Sequence, residues 1–81
     1  MDKLIKVLLA FGFEKEGYGL KVVSTNTTHW VSLLGNKIQS YAYSSQDSEC
    51  EKIYDTGQIF VTEANRGKVL DTIFFLFENN E

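Results

Sequence analysis

Two runs of apolar and aromatic residues in this sequence are separated only by Gly35-Asn36, and that spacing constrains the fold more than any other feature. A two-residue type II′ turn needs glycine at its first central position, so the pair predicts a tight β-hairpin. The two strands of this hairpin are expected at residues 29–34 and 37–43. Because the length of the loop also fixes the register, the cross-strand partners can be assigned from the sequence.

The expected register sorts the hairpin side chains onto two faces, since successive residues of a strand point to opposite sides of a sheet. The expected pairs are Leu34–Lys37, Leu33–Ile38, Ser32–Gln39, Val31–Ser40, Trp30–Tyr41 and His29–Ala42. One face is apolar or small and suits a closely packed helix; it holds Val31, Leu33, Ile38, Ser40 and Ala42, with Leu20 and Val22 from the preceding strand. The other face is aromatic and polar; it holds Trp30, Ser32, Gln39, Tyr41 and Tyr43.

Apolar residues at helical spacing predict two helices, over residues 3–11 and 63–78. Asp2 and Thr62 are their N-cap candidates, and Gly67 is expected to delay the start of the second helix. Phe13 is expected to pack back under the end of the first helix. The remaining strands are expected at residues 20–24, 50–55 and 58–62, the last two forming a hairpin around Asp55-Thr56-Gly57. The predicted fold is a single α+β domain over residues 1–81. It is a small two-layer structure: a twisted antiparallel sheet of four to five strands with the N-terminal and C-terminal helices on one face.

Composition excludes several classes of function. The chain has 81 residues, a net charge of −3 and a single arginine, Arg66, so binding to nucleic acid or to an anionic membrane is disfavoured. One cysteine, Cys50, cannot form an intrachain disulfide, which argues against a disulfide-stapled secreted scaffold. No apolar run approaches the roughly 18–20 residues of a membrane helix. Lys6 interrupts the apolar N-terminal stretch, which lacks a cleavage site, so a cytoplasmic protein is expected.

Few residues could carry chemistry. His29 and Cys50 form the one conceivable thiol–imidazole dyad, but their flanks carry no nucleophile signature, and we interpret them as a strand-edge histidine and a free thiol. One histidine and one cysteine also fall short of a zinc site. Three carboxylates cluster in a polar segment and are expected to be solvated; they are Asp47, Glu49 and Glu51. The six glycines fit turns or helix caps, and no phosphate-binding motif is present. We therefore expect no metal, no cofactor and no enzymatic activity.

The aromatic residues are the strongest functional signal. Trp30, Tyr41 and Tyr43, with Gln39 beside them, are expected on the sheet face away from the helices, and Phe75 on the outward side of the last helix. Tryptophan and tyrosine are enriched at protein interfaces because they bury a large area and keep one polar handle. Two alternatives need no binding partner. These aromatic residues could be present because they form strands well, or the segment 44–52 could cover them.

The order helix, three strands, helix resembles that of double-stranded-RNA-binding domains and HicA-type toxins, whose function depends on basic residues that this chain lacks. The sequence therefore predicts a small acidic protein-binding module: an inhibitor, an immunity-type or phage-type accessory protein, or an adaptor. Its expected partner is another protein, and a homodimer is one form this could take. Two alternatives remain, namely a nucleic-acid module using aromatic stacking and a small enzyme with the His29/Cys50 dyad.

Overall fold

The computed structural model describes residues 2–44 and 51–80, which form two helices and one antiparallel sheet. The helices are α1 (Asp2–Phe11) and α2 (Arg66–Asn79). The strands are β1 (Glu14–Glu16), β2 (Gly19–Val23), β3 (Thr27–Leu34), β4 (Lys37–Ser44), β5 (Lys52–Asp55) and β6 (Ile59–Phe60). The predicted α+β class, with an N-terminal helix, an antiparallel sheet and a C-terminal helix, is confirmed, although the described residues form six strands rather than four or five.

The central hairpin has the predicted register. Trp30 lies opposite Tyr41 and every other expected pair is also found. Gly35 has φ of 60° and no non-glycine residue among those described has positive φ, which fits the type II′ turn. The two long strands of this hairpin form the middle of the sheet, whose strand order is β1-β2-β3-β4-β5.

The second predicted hairpin is wrong, because β5 and β6 both pair with β4 rather than with each other. The backbone N–H of Thr56 donates to the carbonyl of Ser40 (2.9 Å), and the Thr56 hydroxyl accepts from the Ser40 N–H (3.1 Å). These bonds hold the chain against β4 as it passes from β5 to β6. The segment is therefore one interrupted strand along the edge of β4.

Strand β1 was not predicted, because its residues Glu14, Lys15 and Glu16 are charged and exposed and carry no apolar alternation. It pairs with β2 through the turn at Gly17, whose φ is 59°. A short, charged edge strand of this kind resists pairing with another chain.

Both helices pack on the same face of the sheet. The core combines residues of α1, α2 and this face; its buried members are Leu4, Leu8, Phe13, Leu20, Val31, Ile38, Val61, Val69 and Ile73. Phe13 turns back under α1 as expected, with its N–H donating to the Leu8 carbonyl (3.0 Å). The opposite face of the sheet receives neither helix.

The last helix begins at Arg66, three residues later than the predicted start at residue 63. Asn65, not Thr62, precedes its first residue, and the two form reciprocal bonds: Thr62 N–H to Asn65 Oδ1 (2.7 Å) and Asn65 N–H to Thr62 Oγ1 (3.2 Å). The assignment of all six glycines to turns or caps is also wrong for two of them, because Gly19 is the first residue of β2 and Gly67 lies within α2.

Candidate functional site

We call the sheet surface opposite the two helices the open face. Alternation along the strands and the observed pairings assign its residues. Its central part consists of Lys21, Trp30, Ser32, Gln39, Tyr41, Tyr43, Lys52 and Asp55, and its outer part of Glu14, Glu16, Val23, Thr28, Leu34, Lys37 and Phe60. The open face therefore contains four of the five residues predicted to bind a partner: Trp30, Gln39, Tyr41 and Tyr43.

Aromatic rings occupy the centre of the open face. Trp30 and Tyr41 are direct cross-strand partners on β3 and β4, and the rings of Tyr41 and Tyr43 make an edge-on contact with centroids 5.9 Å apart. All three residues are partly exposed. They thus form one surface on the two longest strands, which are paired along their whole length.

On the β2 side of this centre, the charges are paired within the face. Lys21 lies opposite Trp30, and its Nζ is 2.7 Å from Glu16 Oε2 and 5.4 Å from the centroid of the Trp30 ring. An ammonium over an indole ring is attracted by the ring quadrupole. Lys21 therefore has both an acidic and an aromatic partner before anything binds.

The β5 side has the same arrangement. Lys52 Nζ is 3.0 Å from Asp55 Oδ2 and 5.9 Å from the centroid of the Tyr43 ring. Asp55 Oδ1 accepts hydrogen bonds from the Gly57 N–H and from Gln39 Nε2, both at 2.8 Å. These donors, with Lys52, lower the pKa of the Asp55 carboxyl to about 2, and Asp55 in turn raises the pKa of Lys52. Both groups therefore stay charged and paired at neutral pH.

Three apolar residues of the open face were missed by the sequence prediction. Val23, Leu34 and Phe60 lie around the aromatic centre and are 60%, 70% and 58% exposed. Alternation from the predicted register could have found Val23 and Leu34. Phe60 could not be placed, because it reaches this face only through the pairing of β6 with β4.

The fifth predicted binding residue, Phe75, lies elsewhere. It is on α2 and 64% exposed, as expected, but α2 covers the other face of the sheet. Phe75 is therefore not part of the open face, and the predicted residues do not form one site.

The predicted strand-edge histidine is also wrong. His29 is 1% exposed on central strand β3, beneath α2, with its ring centroid 4.6 Å from that of Phe77. Its Nδ1 is 2.7 Å from the Tyr54 hydroxyl, and its Nε2 is 3.5 Å from Ser24 Oγ. A neutral ring accepting at Nδ1 and protonated at Nε2 fits this geometry, because Ser24 Oγ already donates to the Thr27 carbonyl.

The remaining chemical candidates gain no support. Cys50, Asp47 and Glu49 lie outside the described residues, and Glu51 is exposed. Residues 2–44 and 51–80 contain no group of three or more histidine, cysteine, aspartate or glutamate side chains arranged to hold a metal ion. A groove of about 220 Å³ beside α1, lined by Ile5, Lys15, Tyr18, Leu20 and Leu33, is smaller than usual ligand pockets and has few converging polar groups.

We expect the burial of His29 to make the protein less stable in mild acid. Desolvation lowers the pKa of His29 below 6.5, so the unfolded chain binds a proton more readily than the folded one. Stability should fall as the pH drops below about 6.5, by at most about 1.4 kcal/mol per pH unit for one proton. Urea unfolding at about pH 8 and about pH 5.5 measures this, since His29 is the only histidine.

His29→Gln is the matched control, because it removes the titrating group and keeps a polar side chain. Its unfolding free energy should vary less over the same range of pH. A parent protein whose stability stays constant or rises on acidification would contradict the buried, neutral histidine.

No helix among the described residues is both long and apolar enough to cross a membrane. Comparisons with protein-family models, with curated proteins and with solved structures gave no match for this chain. The resemblance to double-stranded-RNA-binding domains and HicA-type toxins rests on element order alone. It is weakened by the six strands, rather than three, that lie between the helices.

Proposed function

We propose that this chain is a small, non-catalytic protein-binding module that acts through its open face. The observation that carries the proposal is the aromatic centre of Trp30, Tyr41 and Tyr43 on the sheet face that neither helix packs against. The proposal covers an inhibitor, an immunity-type or phage-type accessory protein, and an adaptor. A cytoplasmic location is part of the proposal, and the single cysteine supports it.

The chemistry of the open face favours a protein partner. Burial of apolar surface contributes roughly 25 cal/mol per Å², and Val23, Leu34 and Phe60 add such surface around the aromatic centre. The charged groups nearest the centre already have partners, so burying them leaves no lone charge behind. Paired strands also hold the aromatic side chains in place, which reduces the entropy lost on binding.

The two alternatives have less support. Binding to nucleic acid draws its affinity from cations that contact phosphates, whereas Lys21 and Lys52 are paired with carboxylates and the net charge is −3. An enzyme built on His29 needs that side chain within reach of a substrate, whereas it is buried beneath α2.

Capture of partners from the native host tests the proposal. Trp30→Ala and Tyr41→Ala together should remove bound proteins that the parent retains, because truncating an interface hot spot costs about 2 kcal/mol or more. Phe75→Ala, an exposed aromatic residue away from the open face, should retain them. Capture that is unchanged by the double substitution, with the fold intact by circular dichroism, would contradict the proposal.

A further inference from the structure

We infer that the open face docks against the open face of a second copy of this chain. The inference rests on the proposed function, because it assumes that this face binds protein. It commits to one partner and to one surface: the sheet face and not the exposed side of α2. Three observations carry it: the area of the face, the pairing of its charges, and the nature of the sheet edge.

The area of the open face fits a small dimer. About thirty residues lie in the strands, each covering roughly 3.3 by 4.8 Å of sheet, which gives a flat outline of roughly 500 Å². Two such faces bury roughly 1,000 Å², which is the lower bound for a specific interface. This flat outline leaves out the extra surface of side chains that project from the sheet. Phe75 stands alone among the strongly exposed apolar residues of α2, so that helix offers no comparable area.

The charges of the open face suit a copy of itself. The open face carries three cations, Lys21, Lys37 and Lys52, and three anions, Glu14, Glu16 and Asp55, so it is neutral as a whole. Two ion pairs form within it, Lys21 with Glu16 and Lys52 with Asp55. A strongly charged partner would bring an excess of one sign of charge onto this neutral face, and burying that excess is costly. A second open face brings a neutral set of charges, four of which are already paired, together with aromatic rings for the aromatic centre. In such a two-fold contact each copy uses the same surface.

The edges of the sheet argue against the other way in which two sheets can join, since the edge opposite β1 is divided between the short strands β5 and β6. Strand β1 is three residues long and charged throughout, and its side chains Glu14, Lys15 and Glu16 would meet those of an added strand. Such edges oppose edge-to-edge extension of the sheet. Face-to-face packing, at the spacing of about 10 Å usual for stacked sheets, needs no free edge.

Sedimentation of the untagged chain from low to high micromolar concentration tests the inference. The parent should approach twice its mass of 9.2 kDa as concentration rises. Tyr41→Glu, which places an unpaired charge at the centre of the face, should raise the dissociation constant at least about 30-fold. Phe75→Glu, a matched charge on α2, should leave it within a few-fold of the parent. If Tyr41→Glu fails to fold, Leu34→Glu replaces it, because that side chain is 70% exposed on the same face.

A parent that keeps the mass of one chain at every concentration overturns the inference, as does a dimer broken by Phe75→Glu alone. The proposed function is judged separately by capture. Suppose that the parent stays a monomer but captures a protein, and that this protein is lost with Trp30→Ala and Tyr41→Ala. That result overturns only the second copy as the partner. If the parent stays a monomer and its capture of proteins does not depend on these two residues, both the inference and the proposed function are overturned.

Discussion

Replacing Ile38 with alanine is expected to remove most of the net stability of the fold. Ile38 is 1% exposed, lies opposite Leu33 and Ile59, and belongs to the core between the sheet and the helices. Truncating such a residue costs about 2–5 kcal/mol, because apolar contacts are lost and a cavity remains. A core of this size supplies only about 3–5 kcal/mol of net stability. Urea unfolding followed by circular dichroism measures the loss.

Leu34→Ala is the control for Ile38→Ala, since Leu34 is in the same hairpin but 70% exposed. Its unfolding free energy should stay within about 0.5 kcal/mol of the parent. Leu33 was predicted to be as deeply buried as Ile38 but is only partly buried. The unfolding free energy of Leu33→Ala should therefore lie between those of Ile38→Ala and Leu34→Ala. Equal stability of the Ile38 and Leu34 variants would show that the two faces of the hairpin are assigned wrongly.

Gly19→Ala should destabilise the protein by about 1–3 kcal/mol, although the change adds only one methyl group. A Cβ atom at Gly19 would clash with the backbone carbonyl oxygen of Val31 and lie 3.3 Å from the Ser32 Cα. Backbone atoms of a paired strand cannot turn aside as a long side chain can, so β2 would have to move away from β3. The effect is measured as a shift in the urea midpoint.

Gly67→Ala tests whether the effect of Gly19→Ala comes from the close approach and not from loss of glycine itself. A Cβ atom at Gly67 meets nothing within 4 Å, and alanine favours helices by up to about 1 kcal/mol over glycine. The Gly67 variant should therefore equal or exceed the parent in stability. A Gly19 variant as stable as the parent would show that β2 and β3 are not in the close contact described.

The parts of the fold that sequence could predict are those with strong local signals. Gly35-Asn36 fixes both the turn and the register, because a two-residue loop leaves no freedom to shift the strands. The apolar spacing in α2 places Val69 and Ile73 inward and Phe75 outward, as found. These features depend on residues close together in the chain.

The missed parts depend on contacts between distant residues. Strand β1 has no apolar alternation, and its pairing exists because the Gly17 turn brings it beside β2. The pairing of β6 with β4 depends on two hydrogen bonds between Thr56 and Ser40, one through the Thr56 backbone N–H and one through its hydroxyl, and no local residue pattern predicts them. The turn residues at Thr56-Gly57 favoured a hairpin between the two flanking runs, but in the structure both runs pair with β4 instead.

The candidate site divides in the same way. Alternation within the central hairpin predicted that Trp30, Tyr41 and Tyr43 share a face. Lys21 meets Glu16 through the pairing of β1 with β2, and Lys52 shares a face with Asp55, three residues away, through the register shift where β5 pairs with β4. Sequence could therefore not show that these charges are paired. Burial of His29 could have been predicted from its position two residues before Val31, because both side chains point to the same face of a central strand.

Acrylamide quenching of Trp30 in dilute solution, where sedimentation shows one chain, tests the open face most directly. Trp30 is the only tryptophan, so the fluorescence reports on the centre of this face alone. We expect red-shifted emission and ready quenching in the folded single chain. When a partner or a second copy docks, the emission maximum should shift to the blue and quenching by acrylamide should weaken. Blue-shifted emission that acrylamide hardly quenches, in a folded chain with no partner, would show that the face is covered and would contradict its role as a binding surface.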